Sequence, residues 1–332
     1  MNIVIVTPAL ADANNGNWQT ARRWARMLSA AYRVRLAAAW DGGDEALMIA
    51  LHARRSAVSV ARWHLQRSGA PLVVALTGTD LYRDIAQDAD AQASLRSADR
   101  LVVLNELGAQ ALPAGLQCKA RLVLQSCAAR KTLTKPQHHL RALMVGHLRE
   151  EKSPRTFFDA ARMLARRDDI LLDHVGAALD AALGAEAAAL MTQCPRYRWL
   201  GALPHAAARK RIQAAHVLVH ASRIEGGAHV VIEAVRSGTP VLASHIDGNV
   251  GLLGERYEGY FPVADAAALA TLLQRTRDDP AMLGRLRQQC AARAALFEPS
   301  SERAALHAIV AELLVRQPSH RSTLPGLADE RT

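Results

Sequence analysis

Cysteine, aromatic residues and lysine are all scarce in this sequence of 332 residues. The four cysteines are scattered and form no CxxC pair, which argues against both a disulfide scaffold and a structural zinc site. We therefore expect a protein of the reducing cytoplasm. Aromatic residues make up 4% of the chain, so the core must be built mainly from alanine, leucine and valine.

Long hydrophobic runs are absent as well. No uninterrupted apolar stretch approaches the ~18 residues that a membrane helix needs. The opening string MNIVIVTPAL has no basic lead, which is typical of a buried first strand and not of a signal peptide. No G-x-G-x-x-G follows that strand and no G-x-x-x-x-G-K-[ST] occurs. These absences argue against a nicotinamide-binding domain and against a P-loop.

The net charge of +10 is spread along the chain. Residues 1–138 hold 17 basic and 10 acidic residues, whereas residues 139–332 hold 24 and 21. The basic residues are not interleaved with aromatic ones, so the charge indicates anionic small molecules as partners and not nucleic acid. The larger basic excess of the first part favours an anion site there.

Short apolar runs alternate with amphipathic stretches, among them a helix predicted over 82–97, and this alternation predicts an α/β fold. The polar segment Thr132–His139 contains a proline and reads as a linker, after which the pattern restarts. We therefore predict two Rossmann-like, doubly wound domains facing a central cleft, over 1–138 and 139–316, and a disordered tail over 317–332. The sequence leaves open whether the last helices pack back on the first domain.

The most informative segment is 216–243, HVLVHASRIEGGAHVVIEAVRSGTPVLA. A strand is predicted before its glycines and a helix from near Ala228. Gly226 and Gly227 would leave backbone amides free at the helix entrance, where phosphate binds readily. Glu225 precedes this helix and Glu233 lies within it. Taken alone, such a pair is also typical of an ordinary helix surface.

Four further loops follow predicted strands, where ligands bind in open α/β sheets. The string LMVGHLREEK places cations after a strand that restarts the fold. The strings ALTGTDLYRD, LHARRS and NNGNW each open a helix in the first domain, and their amide, hydroxyl and guanidinium groups suit a compact anion. The acceptor candidates in these three strings are Asn15, Gly16, Asn17, His52, Arg54, Arg55, Ser56, Thr77, Gly78, Thr79 and Asp80.

Together these strings resemble the GT-B glycosyltransferases of retaining family four, over roughly residues 1–315. In that family the second glutamate holds the ribose of the nucleotide and the first lies beside the donor sugar. The resemblance gives these roles to Glu233 and Glu225. It also implies that the diphosphate lies on the backbone of Gly226, Gly227, Ala228 and His229.

The resemblance assigns the cations and marks three departures from the family. Gly146 and Lys152 match the family's Gly-Arg-Leu…Glu-Lys motif, but His147 stands in the place of its arginine. Either Arg149 or His147 replaces that arginine. Thr77 stands where the family has histidine. The loop 247–251 lacks the usual glutamate, so Asn249 or the local backbone would border the nucleotide instead.

Within the family, the chain is most similar to the bacterial selenosugar synthases of selenoneine biosynthesis. That resemblance implies UDP-GlcNAc or UDP-glucose as donor, selenophosphate as acceptor and no metal cofactor. It also implies exchange with a selenophosphate synthetase and a downstream selenium-transfer enzyme. Two alternatives stay open: a family-four enzyme acting on a sugar or lipid hydroxyl, and a non-catalytic protein that binds nucleotide sugars.

Overall fold

The computed structural model describes residues 1–8 and 16–315. In its first lobe, six parallel strands form one sheet in the order β2-β1-β3-β4-β5-β6. The elements of this lobe are β1 (Asn2–Val6), α1 (Gly16–Leu28), β2 (Arg33–Ala37), β3 (Leu47–Leu51), α2 (Ala57–Gln66), β4 (Leu72–Ala75), α3 (Ile85–Gln87), α4 (Ala89–Ser97), β5 (Arg100–Val103) and β6 (Ala120–Leu122).

The second lobe also holds a six-stranded parallel sheet, in the order β12-β11-β10-β7-β8-β9. Its elements are β7 (Leu140–Val145), α5 (Pro154–Met163), β8 (Ile170–Val175), α6 (Ala181–Gln193), β9 (Tyr197–Trp199), α7 (His205–Ala214), β10 (Val217–His220), α8 (His229–Val235), β11 (Val241–Ser244), α9 (Asp247–Leu253), β12 (Tyr260–Phe261), α10 (Ala266–Asp278) and α11 (Pro280–Arg293). Counted from β7, this is the doubly wound order in which ligands bind where the strand order reverses, between β7 and β10.

The last helix, α12 (Pro299–Val315), returns to the first lobe. Its apolar side chains share a core with alternate residues of β1, including Ile3 and Ile5. Glu302 of this helix is buried and accepts hydrogen bonds from Arg23 Nε at 2.9 Å, Trp24 Nε1 at 2.7 Å and the Ser126 amide at 2.8 Å. The segment that follows the second lobe therefore covers one face of the first sheet.

Two predicted elements differ from the structure. The helix predicted over 82–97 is interrupted, because Asp88 caps α4 by accepting the Ala91 amide at 2.8 Å. The predicted loop 247–251 is the helix α9, even though glycine disfavours helices. Its glycines are required by close packing: a Cβ at Gly248 would lie 2.0 Å from the Glu225 carbonyl oxygen. No helix among the described residues is long and apolar enough to cross a membrane.

Candidate functional site

The site lies where loops at the carboxyl ends of β7 and β10 meet the loops that follow β3 and β4. β7 and β10 are hydrogen-bonded neighbours in the sheet, with Leu218 opposite Leu143. From the first lobe, the loop after β4 reaches the loop of the second lobe that contains Gly226 and Gly227, which we call the glycine loop. A Cβ at Gly226 would lie 2.6 Å from the carbonyl carbon of Thr77.

Lys152 and Glu225 form an ion pair at the centre of this junction. Lys152 ends a short helical turn, Glu150–Lys152, and its ammonium group contacts Glu225 Oε1. The two side chains are only 19% and 13% exposed. Burial acts to raise the pKa of Glu225, but the Lys152 charge and the neighbouring His220 hold it well below its usual range. The carboxylate is therefore ionised at neutral pH.

The glycine loop serves two purposes. Asn105 of the first lobe donates its Nδ2–H to the Gly226 carbonyl at 2.8 Å, so this loop is a bridge between the lobes. In the part of the chain that the structure describes, the amides of Gly227, Ala228 and His229 donate to no carbonyl. They are free to donate to an anion, and α8 begins at His229 with Ala228 as its N-cap, as predicted.

Glu233 is a buried polar residue and not an ordinary helix-surface acid. It is 2% exposed and accepts a hydrogen bond from His205 Nε2 at 2.6 Å. His229 Nδ1 and Arg209 Nε lie 3.4 and 3.5 Å from the same oxygen. Burial acts to raise the pKa of Glu233, but hydrogen bonds from the two histidines lower it to about 2. This carboxylate is also ionised at neutral pH.

His205, Arg209 and His220 were not singled out from the sequence. His205 and Arg209 lie one turn apart on α7, a spacing that puts both on one helix face. Only the packing of α7 beside α8 brings that face to Glu233. His220 ends β10, and its Nε2 lies 3.5 Å from Glu225 Oε1. The position of His220 at the end of a strand was the one available signal.

The loop after β7 holds its three predicted residues in different environments. The Gly146 carbonyl accepts a hydrogen bond from His174 Nε2 at 3.2 Å. His147 accepts the Ala177 amide on Nδ1 at 3.1 Å, and burial together with the nearby cations lowers its pKa. Arg149 is exposed and makes no ion pair within the described ranges. Of the two substitutes for the family arginine, Arg149 has the free side chain.

Asn249 lies on α9 with a fully buried side chain. It donates Nδ2 to the carbonyl and hydroxyl oxygens of Ser244, at 2.9 and 3.1 Å. Its Oδ1 has no hydrogen-bond partner among the described residues. The side chain thus joins α9 to the end of β11, and its role toward a nucleotide stays a prediction.

Several predicted acceptor residues hold the first-lobe loops in place. Asp80 is fully buried and accepts the amides of Ala53, Thr77 and Gly78, each at 2.9 Å. The Ser56 hydroxyl donates to the Leu51 carbonyl at 2.7 Å. Their side chains shape the cleft wall, and the groups left for a ligand come from neighbouring residues.

His52 is held in the left-handed region at φ 73°. Its Nδ1 accepts the Arg55 amide at 3.3 Å, so Nε2 carries the proton and donates to the Thr79 hydroxyl at 3.1 Å. Burial lowers the pKa of His52, so that the ring stays neutral. Both ring nitrogens are engaged.

The two arginines of this loop differ. Arg54 Nε lies 3.6 Å from Asp84 and 3.9 Å from Asp88. Arg55 is exposed and makes no ion pair with any residue in 1–8 or 16–315. At the start of α1, the exposed Gly16 accepts the Thr20 hydroxyl at 2.8 Å, with Asn17 beside it. Asn15 lies outside the described residues.

Residues 127–296 match the family of glycosyl transferases group 1. The chain belongs to this family. Its fold is similar to that of sucrose-phosphate synthase from Thermosynechococcus elongatus, with a TM-score of 0.75 and 17% identity over 96% of this chain and all of that one. No curated protein matches the chain in sequence.

Two further solved structures share the fold. HepE of Anabaena in complex with UDP and glucose aligns with a TM-score of 0.73 and 15% identity, over 94% of this chain and all of that one. A glycosyltransferase of Rickettsia africae gives 0.68 and 12%, over 95% and 99% of the two chains. The predicted GT-B architecture of this group 1 glycosyltransferase is confirmed.

Proposed function

We propose that this glycosyltransferase transfers a hexosyl group from UDP-GlcNAc or UDP-glucose to selenophosphate. In the proposed reaction, selenium bonds to the sugar C1 as the bond from C1 to the diphosphate oxygen breaks, and that oxygen keeps the electron pair. Water then cleaves the selenium–phosphorus bond. The products are a sugar carrying selenium at C1, UDP and phosphate.

The donor half of the proposal is supported by the two glutamates and by the bound UDP of a structural neighbour. HepE shares this fold and was solved with UDP and glucose. Glu233 is ionised and buried, and an ionised carboxylate can accept hydrogen bonds from two ribose hydroxyls. The free amides after Gly226 would take the diphosphate.

Catalysis would rest on charge at the leaving group and at the sugar. Lys152 supplies a preorganised cation for the negative charge that develops on the diphosphate. Glu225 stays ionised and would stabilise positive charge on the sugar ring. Arg149 would add a second cation, and the contact between the lobes at Gly226 would keep donor and acceptor close together.

The choice of acceptor rests on one observation. Among the described residues that line the first-lobe side of the cleft, no side chain is free to act as a general base. His52 has both ring nitrogens engaged, Asp80 is saturated by amides, and Asp84 faces arginines. A hydroxyl acceptor needs its proton removed, whereas selenophosphate is already anionic and its selenium is a strong nucleophile. Among the described residues of the loop after β3, Arg55 is a cation that makes no ion pair.

The chain's cysteines are consistent with a reducing compartment, since all four are free. We therefore place the reaction in the cytoplasm, where selenophosphate is protected from oxidation. The proposed partners are small molecules, with selenophosphate received from its synthetase and the selenosugar passed to a selenium-transfer enzyme. No metal cofactor is required by this scheme.

The adjacent arginines provide a matched test of the acceptor site. Arg55→Ala should raise the selenophosphate KM about 10- to 100-fold, because losing one charge-assisted contact costs about 1.5–3 kcal/mol. Arg54→Ala removes the same group from a position already neutralised by Asp84 and Asp88, so its effect should be smaller. UDP affinity should stay nearly unchanged in both variants.

Release of UDP, measured against a panel of acceptors, separates the three readings. The proposal predicts release with selenophosphate and little with sugar alcohols or lipid hydroxyls. Release only with hydroxyl acceptors would identify an ordinary family-four enzyme. UDP-sugar binding without release, under any acceptor, would identify a non-catalytic binding protein.

A further inference from the structure

A second feature surrounds Glu233 and is not used by the proposed reaction. His205 on α7 and His229 on α8 face this carboxylate, and one ligand atom of each of the three side chains lies within 4.8 Å of the others. His205 is more than half exposed, whereas Glu233 is buried. The three groups form an open cup at the protein surface.

The hydrogen bonds of His229 decide which of its nitrogens faces the cup. Its Nε2 lies 3.2 Å from the carbonyl oxygen of Ser126. A carbonyl oxygen only accepts, so Nε2 carries a proton and donates it. The other nitrogen, Nδ1, lies 3.4 Å from Glu233 Oε1. Nδ1 is therefore the His229 nitrogen that faces Glu233.

A metal cation between these atoms would be ligated by His229 Nδ1 and Glu233 Oε1 together. A carbonyl that holds one imidazole nitrogen while the other ligates a metal is a recurrent arrangement around metal sites. Two histidines and one glutamate are a known ligand set for Zn²⁺ with an open fourth position. In a tetrahedral site with bonds of about 2.0–2.1 Å, ligand atoms lie roughly 3.4 Å apart. The distance from His229 Nδ1 to Glu233 Oε1 is 3.4 Å, which is the value expected for two ligands of one metal.

His205 is the residue that would have to move for a metal to bind. His205 Nε2 lies 2.6 Å from Glu233 Oε1, closer than two ligands of one metal. His205 is the first residue of α7 and its side chain is 56% exposed. A small rotation of that side chain would open the contact. Arg209 Nε lies 3.5 Å from Glu233 Oε1, and its positive charge would lower the affinity for the cation.

We propose that His205, His229 and Glu233 bind a borderline transition-metal cation such as Zn²⁺ or Co²⁺, and that this cation excludes the nucleotide. The second half of the proposal rests on the proposed role of Glu233 in holding the ribose. A carboxylate oxygen that ligates a metal cannot also accept the ribose hydroxyls in the same direction. The site would thus be an inhibitory one, separate from any metal requirement of catalysis.

Metal binding is measured first, without nucleotide, on the full chain treated with chelator. Co²⁺ titration followed by its visible absorption, and Zn²⁺ titration by calorimetry, should each show about one ion per chain. His205→Ala should weaken this binding about 100-fold or more, since loss of a second-shell partner alone costs 10- to 100-fold. The exposed His64 on α2 gives the matched control, and His64→Ala should bind the ion as wild type does.

Competition is measured next, as the ratio of UDP Kd with and without saturating Zn²⁺. The ratio should be well above one in the wild type and near one in His205→Ala. Equal metal affinity in wild type and His205→Ala would overturn the site, and metal binding that leaves UDP Kd unchanged would overturn the exclusion. If the chain binds the ion at this site but never binds UDP, the donor assignment fails and the metal site stands.

Discussion

At the residue scale, the proposed function makes turnover depend on the ion pair between Lys152 and Glu225. Lys152→Ala should lower kcat about 100-fold or more, because one preorganised cation at developing charge is worth a few kcal/mol. Lys152→Arg should restore part of the activity, since the two cations differ in shape. Steady-state release of UDP measures both.

The exposed Lys210 on α7 serves as the control for this prediction. Lys210→Ala removes the same charge from the surface and should leave kcat unchanged. Full activity in Lys152→Ala would mean that other cations carry the leaving diphosphate.

Glu233 is the second residue with a direct test. Glu233→Gln should weaken UDP binding by about 1–3 kcal/mol, because charge-assisted hydrogen bonds to the ribose are replaced by neutral ones. Calorimetry measures the affinity, with Glu255→Gln at an exposed position as the control. Equal affinity of Glu233→Gln and wild type would remove Glu233 from the nucleotide site.

The sequence located Lys152, Glu225 and Glu233 because each lies in a short string after a predicted strand. It missed His205 and Arg209, which reach Glu233 from α7, more than 20 positions earlier in the chain. Such contacts depend on how two helices pack, and no local string records that. For the same reason, the sequence did not show that the side chains of Asp80 and Ser56 form hydrogen bonds with backbone groups and hold the first-lobe loops in place.

At the element scale, β8 supports the loop that carries Gly146. His174 of this strand is fully buried, accepts the Tyr197 hydroxyl on Nδ1 at 3.2 Å, and donates Nε2–H to the Gly146 carbonyl. Burial lowers the pKa of His174 to about 4 from its ordinary 6.5, against the opposing effect of the Gly146 carbonyl. The ring is therefore neutral in the folded protein.

This shift predicts an acid-dependent loss of stability. Between pH 6.5 and about 4 the unfolded chain binds a proton on His174 and the folded chain does not, so the free energy of unfolding falls as the pH falls. The loss amounts to about 3 kcal/mol and levels off below pH 4. His174→Gln, which keeps polar groups at this position, should reduce the pH dependence of urea unfolding, and the remaining dependence includes that of His216, whose pKa burial also lowers to about 4. An unchanged pH profile in this variant would contradict the account.

The alternation of apolar runs and amphipathic stretches predicts the two α/β lobes, but it misses elements whose limits depend on a glycine contact or a helix cap. Residues 247–251 are predicted as a loop, and glycine is a weak helix former. In the structure they lie in α9, since Gly248 and Gly251 permit contact with Glu225 and Asn105. Conversely, Asp88 breaks a helix that composition alone predicts as continuous.

At the scale of the whole molecule, the two lobes meet at the glycine loop. Gly226→Ala should force the loop at Thr77 to move, since its Cβ would lie 2.6 Å from that backbone. We expect a lower kcat and a lower Tm. Gly284→Ala on α11 meets nothing within 4 Å and should instead stabilise the fold by up to about 1 kcal/mol. A Gly226→Ala variant that is as active and as stable as the wild type would show that neither activity nor stability needs the close contact between Gly226 and Thr77.

The return of α12 to the first sheet is the global feature that the sequence left open. The helical pattern of this segment does not predict which sheet it packs on, because an apolar stripe can pack on any apolar face. The buried Glu302 fixes the choice, since Arg23 and Trp24 lie where its carboxylate can be satisfied. The two-lobed plan itself followed from the repeated alternation of strands and helices and is confirmed by the family and its structural neighbours.

The identity of the bond formed at the sugar C1 tests the central claim most directly. The chain is incubated with UDP-GlcNAc or UDP-glucose and selenophosphate without oxygen, and the product is examined by mass spectrometry and selenium NMR. The account predicts a sugar carrying selenium at C1, formed in step with UDP. Transfer to a hydroxyl acceptor, with no selenium in any product, would contradict it.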